Sequence, residues 1–167
     1  SIREYLASEA MHFLRVPTTR SLSIIYSNET VLRPSYKDGN SKKLETNRNA
    51  VVCRVAESFY RIGHLELFSR RVKKASTNQE ASLAKLQLLK LVKHIINTYF
   101  SSNDSNDSNS CSSFEDNILS FAHQVSSKLC YMVARWMSVG YVQSNMNSDN
   151  ISILGLTLDY GPFGFMD

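Results

Sequence analysis

An α+β fold is what this sequence predicts, and three observations predict it. Apolar residues recur at helical spacing in several stretches. Shorter runs rich in β-branched and aromatic residues, bounded by turn-forming residues, lie between the first two of them. The chain then closes on a short apolar hairpin flanked by acidic and amide side chains.

The elements follow in order. Ser1-Ile2-Arg3-Glu4 has capping-box spacing, in which a hydroxyl and a carboxylate each take an otherwise unpaired backbone N–H. Behind it Ile2, Leu6, Ala10 and Phe13 recur on one helical face, and the helix ends before Pro17. Residues 21–27 (SLSIIYS) and 30–32 read as strands broken by Asn28-Glu29. Asp38-Gly39-Asn40 reads as a turn, followed by a polar loop to Asn49; residues 50–56 read as a strand and 63–71 as a short helix. Thr77-x-x-Glu80 is a second capping box, opening a helix with Leu86, Leu89, Val92, Ile96 and Tyr99 along one face. The tract SSNDSNDSNSCSS (101–113) is too polar to pack and reads as a disordered insertion. Ser112-x-x-Glu115 restarts order, and Ile118, Phe121, Val125, Leu129, Met132 and Trp136 mark the longest helix, ending at Gly140.

A helix bearing a Glu near its start, a small antiparallel sheet, helices, a long helix, a loop and a hairpin: a protein-kinase-like fold has the same order from its αC helix onward. On that reading residues 1–71 are part of an N-lobe-like region. Residues 72–167 are a mainly helical C-lobe-like region with the catalytic loop. Such agreement concerns fold and leaves function to the site.

Composition removes several classes of function. A net charge of +4 is modest, and the basic clusters Lys42-Lys43 and 70–74 have no interleaved aromatics, so they read as solvated faces with no nucleic-acid partner. Cys53, Cys111 and Cys130 are odd in number, far apart and without C-x-x-C spacing, which argues against a disulfide framework or structural zinc and for a reducing compartment. No apolar run is long enough to span a bilayer, so no membrane partner is expected. His12, His64, His94 and His123 share no metal-ligand spacing, and neither G-x-S-x-G nor H-E-x-x-H occurs.

The chemistry gathers in SNMNSDNISILGLTLDYGPFGFMD (144–167). Asp149-Asn150 and Asp159-Tyr160-Gly161 lie at the two ends of the apolar segments 151–153 and 156–158, which a hairpin would bring side by side. Carboxylate and amide oxygens are hard ligands, suited to Mg²⁺ or Mn²⁺ bridging nucleotide phosphates. Protein kinases use the same parts, a loop Asn and the Asp of a D-F-G triplet. Asn150 stands where that Asn would, and Asp159-Tyr160-Gly161 reads as the triplet. Counting back through H-R-D-x-x-x-x-N puts Gln143 at the His and Asn145 at the catalytic Asp. An Asn takes no proton at neutral pH, and the nearby carboxylate is Asp149. By itself Asp149-Asn150 would read as a turn; Asp159 and the surrounding block favour the site. Arg54, mid-strand in apolar surroundings, needs a partner, either a carboxylate or phosphate oxygens that match its guanidinium fork.

The block MNSDNISILGLTLDYGPFGFMD resembles the signature of the selenoprotein O family, protein adenylyltransferases with a pseudokinase fold. So do SIREYLASEAM (1–11), VPTTRSL (16–22) and VVCRVA (51–56). The resemblance covers most of the chain outside 72–140. It departs from the family at Gln143-Ser144, where members usually carry His-Gly. It implies ATP and Mg²⁺ (or Mn²⁺) as cofactors and transfer of AMP to Ser, Thr or Tyr hydroxyls of protein substrates. The nucleotide would lie flipped relative to kinases, with its γ-phosphate buried and its α-phosphate facing the acceptor. Asp149 would be the base, Asn150 and Asp159 the metal ligands, Arg54 and Arg61 contacts to the nucleotide phosphates, and Glu4 the partner of a lysine upstream of Ser1. The chain opens on a helix pattern without lead-in, so it is read as a piece of a larger protein and expected to be inactive alone. Two rivals stand beside the adenylyltransferase: a conventional protein kinase, and a non-catalytic nucleotide-binding scaffold.

Overall fold

The computed structural model describes residues 1–34, 44–100 and 114–166. Among these the chain is α+β: helix α1 (Ile2–Phe13), the antiparallel pair β1 (Arg20–Pro34) and β2 (Leu44–Val55), helices α2 (Ile62–Lys74) and α3 (Asn78–Ile95), a π-helical turn Ile96–Phe100, and the long helix α4 (Phe114–Ser138). It closes with a second antiparallel pair, β3 (Tyr141–Gln143) and β4 (Phe163–Phe165), with the catalytic-type loop and the hairpin between them.

Helix α1 corrects two expectations. Neither half of the capping box forms: Ser1 makes no side-chain cap, and the Glu4 carboxylate pairs with Arg54 at 3.3 Å. The buried residues of α1 are Ala7, Ser8 and Met11, while Ile2, Leu6 and Phe13 are exposed. Beside Met11 the inward residues Ala7 and Ser8 are small, and α1 lies close to the segment after it, where the Ser8 hydroxyl donates to the Thr19 carbonyl at 2.6 Å. The helix ends as a Schellman motif: Arg15 takes a left-handed φ of 59°, Arg15 N–H reaches His12 O, and Val16 N–H reaches Met11 O at 2.9 Å. Met11 and Val16 are both buried, the apolar contact that accompanies such a stop. Arg20 and the Ser21 N–H bind the Glu9 carboxylate and hold it at about 2, well below the usual carboxylate range.

The strands run further than expected. β1 is continuous through Asn28-Glu29, where the register shifts between Ser27 and Thr30, so the expected break is an irregularity within one strand. Residues 44–49, expected in a polar loop, continue β2, because their backbone pairs with β1 between Ser27 and Pro34 and alternation of apolar residues is not needed for that. The expected turn at 38–40 and the tract 101–113 fall outside the described residues.

The Thr77 cap forms: its hydroxyl accepts the Glu80 N–H at 3.2 Å, and the Glu80 carboxylate accepts the N–H of Ser76. The inward side of α3 holds Ala84 and Ile95, and Leu86, expected on that face, is exposed. α4 follows the expected period. Phe121 and Val125 join Ile95 and Ile153 in one core, while Met132 and Trp136 join Ala7, Met11, Val16, Tyr141 and Tyr160 in another. Because the hairpin places Ile153 in the first of these and Tyr160 in the second, α4 and both cores fix it along its length.

Candidate active site

Hairpin closure is visible in the backbone. Ile151 and Thr157 form an antiparallel bridge, and the turn between them carries Gly155 at φ 69°, a conformation costly for residues with a Cβ. The bridge brings the residues before Ile151, namely Asp149 and Asn150, alongside those after Thr157, which lead to Asp159. The hairpin is sewn to the stretch after α1: Thr157 N–H donates to Pro17 O at 2.9 Å, and Thr19 N–H donates to Thr157 O at 3.2 Å. The Thr157 hydroxyl donates to Pro17 O at 2.8 Å and accepts from Trp136 Nε1 at 2.7 Å. Each of these buried polar groups is paired, as burial demands.

The loop before the hairpin is shaped by its amides. Ser148–Asn150 is a short 3₁₀ turn, with the Asn147 side chain accepting the Asp149 N–H at 3.1 Å. Asn150 Nδ2 donates to the Asn145 carbonyl at 3.1 Å, which leaves its Oδ1 as the end able to face a cation. Asn145, at the kinase base position, helps to close this loop. Gln143 and Ser144, the departures from the family pattern, tie the loop to the D-Y-G segment. Gln143 Nε2 donates to Asp159 O at 3.1 Å, the Tyr141 hydroxyl donates to Gln143 Oε1, and the Ser144 hydroxyl donates to Pro162 O.

Asp159 supplies the strongest sign of a ligand. Its Oδ2 is buried with no hydrogen-bond partner, an uncommon condition for a carboxylate oxygen. Gly161 leaves the space beside it open, since a Cβ there would stand 3.0 Å from Oδ2. Among the described residues no three His, Cys, Asp or Glu side chains converge. A cation here would therefore rest on one carboxylate and one amide, with phosphate and water completing the shell, a pattern that suits Mg²⁺ better than Zn²⁺.

Asp149 is exposed on the loop, with its carboxylate against the first turn of α2 at Gly63. Arg61 is the N-cap residue of α2, with its N–H on His64 Nδ1 at 3.0 Å, and it borders an open cavity of about 520 Å³ lined also by Glu57, Tyr60, His64 and Tyr99. Arg54 lies elsewhere, under α1. Besides Glu4 it donates to the Thr19 carbonyl at 3.2 Å and to the Thr19 hydroxyl, and its guanidinium sits 5.1 Å from the centre of the Tyr160 ring. The structure thus gives Arg54 the carboxylate partner, and its Nε remains buried and unpaired. Arg3 reaches Phe163 from the same helix, donating to its carbonyl and stacking 3.9 Å over its ring. α1 therefore holds the segment after Asp159 directly at Phe163 and, through the Glu4–Arg54 pair, at Tyr160, links that no local motif announces.

Tyr160 carries a testable consequence. Burial pushes its hydroxyl up to about 12, against the opposing pull of the Thr18 hydrogen bond and Arg54. A folded-state value above the unfolded one, about 10, means that the neutral phenol stabilises the fold. That contribution is complete below pH 10 and is lost as pH rises through 12. Denaturant titrations are expected to show stability falling across this window, with a shallower fall for Tyr160→Phe; an equal fall in the variant would remove Tyr160 as the cause.

The family described as protein adenylyltransferase SelO matches residues 1–167. The chain is also similar throughout to proteins named protein nucleotidyltransferase YdiU. The one from Rhodopirellula baltica is 42% identical over all 167 residues, which cover 28% of that relative. Those from Xanthomonas campestris pv. campestris and Burkholderia thailandensis are each 41% identical over the same residues, covering 28% and 26% of their lengths. The chain spans little more than a quarter of the relatives it matches.

Proposed function

The chain belongs to the SelO family of protein adenylyltransferases, and from that premise we propose that it carries the metal clamp and base of a nucleotidyltransferase with a kinase-like fold. The reaction is transfer of AMP from ATP to a Ser, Thr or Tyr hydroxyl of a protein substrate. One observation carries the reading: the Ile151–Thr157 closure sets Asp149 and Asn150 beside the segment leading to Asp159, whose Oδ2 is buried and unpartnered.

In this reading Asp159 Oδ2 and Asn150 Oδ1 hold Mg²⁺ or Mn²⁺, which supplies neutralisation of charge on the phosphates. The Asp149 carboxylate takes the proton of the acceptor hydroxyl as that oxygen bonds to the α-phosphorus, and the bond to pyrophosphate breaks. Asn145 cannot do this, having no carboxylate. Arg61, at the rim of its cavity, and Arg54, through its unpaired Nε, are the arginines offered to phosphate oxygens. Gln143-Ser144 does not argue for a scaffold, because both side chains make the bonds that hold the loop to the D-Y-G segment.

The test is mass spectrometry of a protein acceptor incubated with the full-length protein, ATP and Mg²⁺ or Mn²⁺. Peptides carrying an adenylyl group on Ser, Thr or Tyr are the expected result. Phosphate in its place would make the protein a kinase, and nucleotide binding without either product would make it a scaffold.

A further inference from the structure

Gly63 occupies the second position of α2 and is buried, in a helix turn where glycine is a poor choice on propensity alone. A Cβ built on it would fall within 3.0 Å of Asp149 Oδ1, closer than carbon and oxygen approach, and 3.2 Å from both Asp149 Cγ and the Ser148 carbonyl. The loop is fastened at this point by more than close approach. Ile62 N–H donates to Ile151 O at 3.0 Å, and Ile153 N–H donates to Tyr60 O at 3.0 Å. One helical turn beyond Gly63, Glu66 pairs with Arg70 at 2.7 Å, and the Ser148 side chain beside it, together with Arg70, holds its carboxyl below the usual carboxylate range. Gly63, Glu66 and Arg70 thus follow one face of α2, and that face carries the turn bearing Asp149.

We propose that Gly63 is a positioning residue for Asp149: its bare Cα is the seat that lets the carboxylate lie against the first turn of α2, with Glu66 beside the neighbouring Ser148. The seat rests on the reading of Asp149 as the base, and it adds a residue that works through Asp149 without touching substrate. The N-terminal end of a helix, where backbone N–H groups point outward, accommodates a carboxylate well. A methyl group at position 63 would force either the carboxylate or the whole Ser148–Asn150 turn to move. Ser148 and Asp149 are joined to Asn150, so a shift of the turn would reach the metal side as well, whereas rotation of the Asp149 side chain would not.

The experiment uses the full-length protein and two readouts. Gly63→Ala is expected to lower kcat for transfer by about tenfold to a hundredfold, the scale of loss for a reacting group misplaced by roughly 1 Å, with KM for ATP changed by less than about threefold. Unchanged kcat and KM would overturn the seat. The second readout is thermal stability in a double-mutant cycle with Asp149→Ala. On helix propensity alone Gly63→Ala should raise Tm. In the wild-type background it is expected to lower Tm, and in the Asp149→Ala background that penalty should shrink by about half or more. Where the wild-type protein transfers nothing, the assignment of Asp149 as base falls, and the cycle alone decides the seat: coupling upholds it and additive effects overturn it.

Discussion

Asp159→Ala in the full-length protein is expected to abolish transfer and to remove the metal dependence of ATP binding, whereas Asp149→Ala abolishes transfer alone. The difference follows from where the two carboxylates sit. Asp159 Oδ2 is buried, unpartnered and given room by Gly161, so deleting it removes the clamp's one carboxylate and leaves Asn150 as a lone neutral ligand. Asp149 is exposed, and its backbone is held by the Asn147 side chain independently of its carboxylate, so the loop should survive its loss. General-base catalysis contributes about 10²–10⁴ in rate, and a drop of that size with ATP affinity within about twofold is the expected signature of Asp149→Ala. Calorimetric titration of ATP with and without Mg²⁺, beside a single-turnover transfer assay, separates the two. Metal-dependent binding that persists in Asp159→Ala would move the cation elsewhere, and transfer that persists in Asp149→Ala would remove it as base.

How far these features could be read in advance depended on how local their causes are. α4 was legible because large apolar residues repeat along it and the two cores accept Phe121, Val125, Leu129, Met132 and Trp136. The face of α1 was misjudged for the opposite reason: beside Met11 its inward side is Ala7 and Ser8, and close approach to Thr19 favours small residues there where periodicity searches for large ones. The larger residues Ile2 and Leu6 mark another side, an apolar surface shared with Phe163 and Phe165. Residues 44–49 looked like a loop because a strand held by pairing to β1 needs no apolar alternation. That Asp149 and Asn150 lie alongside the segment leading to Asp159 was legible from spacing, since a short hairpin is a local structure. The contacts that position them were not. Gly63 beneath Asp149, Glu66 on Ser148 and Thr157 on Pro17 join residues 82 to 140 positions apart, and only the fold juxtaposes them.

Arg54→Met is expected to cost about 1–3 kcal/mol of stability and, in the folded protein, to weaken ATP binding by about tenfold or more. The stability term arises because Arg54 is a junction: it joins Glu4 on α1, Thr19 after it and the ring of Tyr160 beside Asp159. Several features keep that term from reaching the 3–5 kcal/mol of a broken, fully buried pair. Glu4 is 36% exposed and can be hydrated when its partner goes. The Thr19 carbonyl keeps the hydroxyls of Ser8 and Thr18 as donors. Met also retains much of the apolar stem, and its loss of the unpaired Nε removes a buried donor that the native fold leaves unsatisfied. That same Nε motivates the binding term. Nη1 and Nη2 are engaged by Glu4 and Thr19, so the phosphate contact assigned to Arg54 would have to use Nε or a rearranged fork. Chemical denaturation gives the first quantity and ATP titration at a temperature where the variant is folded gives the second. Lost stability with unaltered ATP affinity would make Arg54 a structural junction only, and the phosphate role would pass to Arg61, whose side chain lines an open cavity and which pairs with no carboxylate among the described residues.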